Sequence, residues 1–121
     1  MLWKKYGRER GNKVENQVNI LGTNYIIIED NDYLITSNAD GECRPYAKQI
    51  LIRNENNMLE KDLPVLQKIQ RKNEVLRHEI IHAFFYESGL DDYCIDEKLV
   101  TYLSIQFPKL QSIFEKLDIE N

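Results

Sequence analysis

Residues 62–89, DLPVLQKIQRKNEVLRHEIIHAFFYESG, decide how the rest of the chain is read. Asp62 is placed to cap a helix, and Pro64 to occupy its first turn, where no amide donor is missed. Gly89 suits the left-handed position after a helix end, so one long helix should stop at Ser88-Gly89. At 100° per residue Leu66, Ile69, Leu76, Ile80, Ala83 and Phe84 share a stripe, the face expected to lie on a sheet. Val75, Ile81 and Phe85 surround the other side. The C-terminal half is therefore apolar nearly all round and should be covered twice.

Upstream, residues 18–29 are dense in β-branched and aromatic types and read as strand, with Gly22 marking a bulge or bend. After a turn at Asn31-Asp32, residues 33–36 can return as a second strand. Residues 38–41 form a further turn, with Gly41 available for a positive φ. Lys48 to Arg53 reads as a third strand. Downstream, a helix from about Ile95 to Phe107 should be closed by Pro108, and Leu110, Ile113, Phe114 and Leu117 outline a short final helix. Strands followed by helices define an α+β fold. The expectation is a small antiparallel sheet of about three strands on the long helix, then a helix carrying a glutamate and a short C-terminal helix.

The 121 residues fit one domain, 1–121, with a basic arm over residues 1–16 that includes Lys4, Lys5, Arg8, Arg10 and Lys13. Trp3 and Tyr6 in that arm are satellite core or an interaction handle. A formal net charge of -4 argues against a general nucleic-acid binder, whose affinity comes from neutralising phosphates. No apolar run approaches the ~20 residues of a membrane helix. The first residues carry no apolar leader core, so a cytoplasmic location is expected. The two cysteines, Cys43 and Cys94, are expected as free thiols.

The only two histidines lie in His78-Glu79-Ile80-Ile81-His82, an H-E-x-x-H run. Two histidines dropped at random into this length fall four apart about 1.6% of the time, and a following glutamate brings this to roughly one in 600. Four residues rotate a helix by about 40° and climb about 6 Å, so both imidazoles leave one face and can reach one ion. On the helical wheel that face points away from the sheet stripe. Glu79, about 100° further round, stands beside the ion, where it could hold a metal-bound water. A catalytic zinc usually has three protein ligands, so a third is needed. Glu97, in the first turn of the next helix, is the choice, since that helix can return as an αα-hairpin. Small Thr101 and Ser104 on its face would allow close approach. Asp96 and Cys94 are further candidates, while Asp91 and Asp92 read as loop or capping residues. Cys43 reads either as a redox or latency thiol near zinc or as an ordinary strand-end residue.

The segment His78 to Glu87, followed by Asp96-Glu97-Lys98-Leu99-Val100, resembles the zincin metallopeptidases, and the downstream glutamate makes it similar to the gluzincin branch. It most resembles the minimal zincins of bacteria and phages, including the ImmA/IrrE-type peptidase domain. The run from about Ile50 to Pro108 is also similar to small phage-associated proteins. The resemblance covers about half the chain and implies zinc (Zn2+) held by His78, His82 and Glu97, with Glu79 as general base in peptide hydrolysis. Two departures stand out. Asp96-Glu97 replaces the Asn-Glu of thermolysin-like enzymes, and no further histidine exists to stabilise an oxyanion. Tyr86, Tyr93, Tyr102 and Arg77 are the candidates to replace it. The expected partner is a peptide or protein substrate paired along strand 48–53, with no membrane partner. The alternative is a zinc-stabilised or degenerate zincin-fold protein that binds without turnover, as a phage or mobile-element accessory. A DNA-associated factor using the basic arm is a third reading.

Overall fold

A computed structural model describes residues 8–10 and 13–121. β1 (Arg8–Arg10), β2 (Lys13–Ile20) and β3 (Thr23–Glu29) pair antiparallel, each with the next. The β2–β3 connection is two residues, Leu21 and Gly22, with φ of 50° and 92°. Such a turn matches the twist of the strands it joins. Segment 18–29 is thus parts of two strands, and Gly22 is a hairpin turn instead of a bulge. Residues 13–16 of the expected arm are strand. Trp3, Lys4, Lys5 and Tyr6 lie outside the described residues.

Residues 33–36 are helical, not the expected strand. α1 (Asn31–Ser37) begins at Asp30, whose carboxylate accepts from the Tyr33 amide, and ends at Asn38 in the left-handed conformation. Good caps at both ends override the strand preference of Tyr33, Ile35 and Thr36. α1 carries the chain across so that β5 (Gln49–Ile52) pairs parallel with β3, and β4 (Gly41–Arg44) pairs antiparallel with β5. The sheet is mixed and five-stranded, in the order β1-β2-β3-β5-β4. The strand proposed as a peptide-pairing edge, 48–53, is therefore internal. Both its edges are bonded, and Ile50, Leu51 and Ile52 are buried. The strand that ends the sheet there is β4.

After a 3-10 turn (Glu55–Asn57) comes α2 (Val65–Glu87). Pro64 is its N-cap residue, no side chain caps it, and Asp62 does not serve. Its end is as expected: Gly89 has φ of 74° and donates to the Tyr86 carbonyl. Val75 and Ala83 of α2 pack on Ile20, Tyr25, Ile27, Ile50, Ile52 and Met58. The buried face of α2 is Lys72, Val75, Glu79 and Ala83. Leu66 and Phe84 of the expected stripe are 66% and 46% exposed. Lys72 goes inside because its ammonium meets Glu29 at 2.9 Å and Glu55 at 3.0 Å, the pairing a buried charge requires.

α3 (Asp91–Cys94) leads into α4 (Glu97–Leu117), one helix where two were expected. Pro108 sits inside it. Proline cannot donate to the carbonyl four residues back, that of Ser104. Arg77 Nε donates to that carbonyl at 2.8 Å instead, which explains how the helix runs through. Among the described residues no helix is long and apolar enough to cross a membrane.

Candidate metal centre and cleft

His78 and His82 stand four positions apart on α2, and their Nε2 atoms lie 3.2 Å apart. Glu97 reaches across from the first turn of α4. Its Oε2 is 3.0 Å from His78 Nε2, and its Oε1 is 3.0 Å from His82 Nε2. One ligand atom from each residue lies within 4.8 Å of the others. Two ligands at about 2.0–2.1 Å from a tetrahedral ion stand roughly 3.3 Å apart, so the imidazole spacing fits zinc.

The ring orientation fits as well. His82 Nδ1 faces the Cys94 carbonyl. A carbonyl only accepts, so Nδ1 carries a proton and Nε2 is the ring nitrogen turned toward the site. That Nε2 faces a carboxylate oxygen and a second imidazole nitrogen. Burial, and then the neighbouring His82, holds His78 below the ordinary imidazole value against the opposing pull of Glu97. A neutral ring is what metal ligation needs. Two imidazole nitrogens and a carboxylate converge on one point, a donor set that suits a cation.

The other candidate ligands have different work. Asp96 caps α4, its carboxylate accepting from the Leu99 amide at 3.1 Å. Cys94 Sγ donates to the His82 carbonyl at 3.3 Å, and burial followed by the Asp91 charge raises its thiol. Asp91 and Asp92 occupy the first turn of α3. Cys43 lines the same cleft, but burial and then Glu79 push its thiol up to about 12. Its sulfur is not among the ligand atoms that His78, His82 and Glu97 bring together.

Glu79 is 8% exposed and points between α2 and the edge strand β4. Burial, reinforced by Glu97 and Glu42, pushes its carboxyl up to about 8, while a backbone hydrogen bond from Cys43 draws it down. Gly41 makes this approach possible. A Cβ there would lie 2.8 Å from Val75 Cγ1 and 3.1 Å from Glu79 Cγ. The reading of Gly41 as a positive-φ turn residue is thus replaced by one of close packing.

Two hollows meet at His78, Glu79 and Gly41. The larger, about 530 Å³, runs past His82, Glu97 and Pro45, with Ile95 on its wall. The smaller, about 310 Å³, runs past Asp40, Arg71 and Thr101. None of the four residues expected to replace the oxyanion histidine lines either hollow. Arg77 is bonded to Ser104, Tyr86 packs against Lys48 and Tyr46, Tyr93 packs on Phe85, and Tyr102 is exposed. The cation on the hollow's wall is Arg71, two turns before His78, paired with Asp40 at 3.1 Å and with Glu74 at 3.5 Å. The seven-residue spacing from His78 was the signal that could have singled it out.

No family model, curated protein or solved structure matches this chain.

Proposed function

We propose that the chain is a zinc-dependent metallopeptidase of the minimal zincin kind. His78, His82 and Glu97 would hold Zn2+, and Glu79 would act as general base. The observation that carries this reading is the meeting of a distant carboxylate with both imidazoles at 3.0 Å, beside a buried glutamate on an open cleft. When bound, the ion supplies Lewis acidity, easing deprotonation of water and polarising a carbonyl. Glu79 accepts the proton of the attacking water and delivers it to the leaving nitrogen as the C–N bond breaks. Without metal its carboxyl is pushed up to about 8, and a cation beside it would lower that and leave it able to accept the proton. The His82–Cys94 bond fixes the ring so that Nε2 faces the ion. An extended peptide would pair along β4, which ends the sheet and contributes Gly41, Glu42 and Cys43 to the cleft wall. A cytoplasmic setting suits the two free thiols.

The experiment is Glu79→Gln. It should keep zinc and lower the hydrolysis of a peptide library by at least about 100-fold. Cleavage at the parent rate would refute the role of Glu79. One observation favours the second reading, a zinc-stabilised binding protein without turnover. Arg71, the cation on the cleft wall, is already engaged by two carboxylates, and none of the four candidate oxyanion donors reaches the hollows. In that case zinc binds tightly, chelation lowers the melting temperature, and neither protein cleaves.

A further inference from the structure

α4 carries an apolar stripe at Val100, Leu103, Phe107, Leu110, Phe114 and Leu117, in alternating steps of three and four. That is the spacing of a helix–helix seam. Its first members serve as one: Val100 is fully buried and Leu103 half-buried where α4 packs with α2. Past Ser104 the same stripe opens to solvent except at half-buried Phe114. Phe107 is 49% exposed, Leu110 44% and Leu117 63%, and Ile113 at 53% widens the face.

We propose that a second copy of this chain docks on the outer half of α4, the two helices crossing antiparallel about Ser112. In the seam, valine and phenylalanine occupy one core position (100, 107, 114) and leucine the other (103, 110, 117). An antiparallel pair sets one class against the other, so Phe107 meets Leu117 of the other copy and Leu110 meets its Phe114. Every layer then combines one aromatic with one leucine, filling the seam evenly. A parallel pair would stack phenylalanine on phenylalanine and leucine on leucine. The flanking positions are Gln106, Gln111 and Ile113, so no like charges oppose one another across the contact. The exposed apolar surface of this face is roughly 400–500 Å² per copy, so a two-fold pair covering all of it would bury about 800–1,000 Å², which with the polar rim reaches the lower end of specific interfaces. Left alone, the patch is of the size that marks contact sites on monomers. The proposal is independent of the metal.

The test is sedimentation velocity of the full chain between about 1 and 200 µM. The parent protein should move from 14.4 kDa to twice that mass as concentration rises. Leu110→Glu, at an exposed position, should stay monomeric with unchanged circular dichroism. Orientation is read from two further variants. Phe107→Glu and Leu117→Lys should each be monomeric alone, and their mixture should recover the dimer, because these positions face each other only in the antiparallel pair. A parent protein that stays monomeric throughout would overturn the proposal. So would a dimer that survives Leu110→Glu, or a mixture that fails to associate.

Discussion

Gly41→Ala perturbs the closest approach between β4 and α2, and its cost can be worked from distances. The new methyl would stand 2.8 Å from Val75 Cγ1, 3.1 Å from Glu79 Cγ and 3.2 Å from the Leu51 carbonyl oxygen. Carbon atoms prefer about 3.5–4.0 Å. The Val75 methyl belongs to a stiff β-branched side chain in the core, and the Leu51 oxygen is backbone, so neither yields easily. β4 or α2 must shift by several tenths of an ångström. Overpacking of this kind costs about 1–3 kcal/mol. Gly41 does not use a positive φ, so alanine returns about 0.4–1 kcal/mol by restricting the unfolded chain. The net is about 1–2 kcal/mol of destabilisation. For a chain of this length that lowers the melting temperature by about 4–8 °C. Because Glu79 is among the groups the new methyl would press on and neither histidine is, hydrolysis should fall while zinc content stays the same. Thermal unfolding with elemental analysis reads both. An unchanged or raised melting temperature would refute the packing argument.

Arg77 and Pro108 should be coupled. Arg77→Leu strands the Ser104 carbonyl and should cost about 1–3 kcal/mol in urea unfolding. Pro108→Ala restores a helical donor to that carbonyl, so the Arg77 change should cost clearly less in its background, and additive costs would contradict the account. At low pH, Glu87 gives a signed expectation. Lys48 at 2.8 Å, then Tyr25 at 2.6 Å, hold its carboxyl down at about 2. Its folded value lies below its unfolded one, so its stabilising effect is complete above about pH 4.5 and is lost as pH falls toward 2. Glu87→Gln should flatten the fall in urea midpoint between pH 5 and 3, and a parallel fall in both proteins would contradict this. His82→Ala should lose zinc on gel filtration, whereas Asp96→Asn should retain it, since Asp96 serves only as a cap.

The site was legible where a single helix sets it. The spacing of His78 and His82 fixes their common face, and Glu97 could be picked because a helix start next to a turn returns a carboxylate to that face. What lay beyond the sequence depends on partners far along the chain. Lys72 and Glu79 look solvent-facing by polarity, yet both are buried, one against Glu29 and Glu55, the other against β4. Residues 33–36 have strand composition, but caps at Asp30 and Asn38 make them a helix. β4 has no apolar alternation, because an edge strand is defined by its single neighbour, β5. Pro108 ends a helix unless some other donor serves the carbonyl it deprives, and Arg77 lies thirty-one positions away.

A zinc K-edge absorption spectrum of the metal-loaded chain asks most directly whether these three side chains share one ion. The account predicts one zinc per chain with only nitrogen and oxygen neighbours at about 2.0–2.2 Å, two of them imidazoles, and loss of one imidazole in His78→Ala. A sulfur shell at about 2.3 Å, or a chain that takes up no zinc, would contradict it.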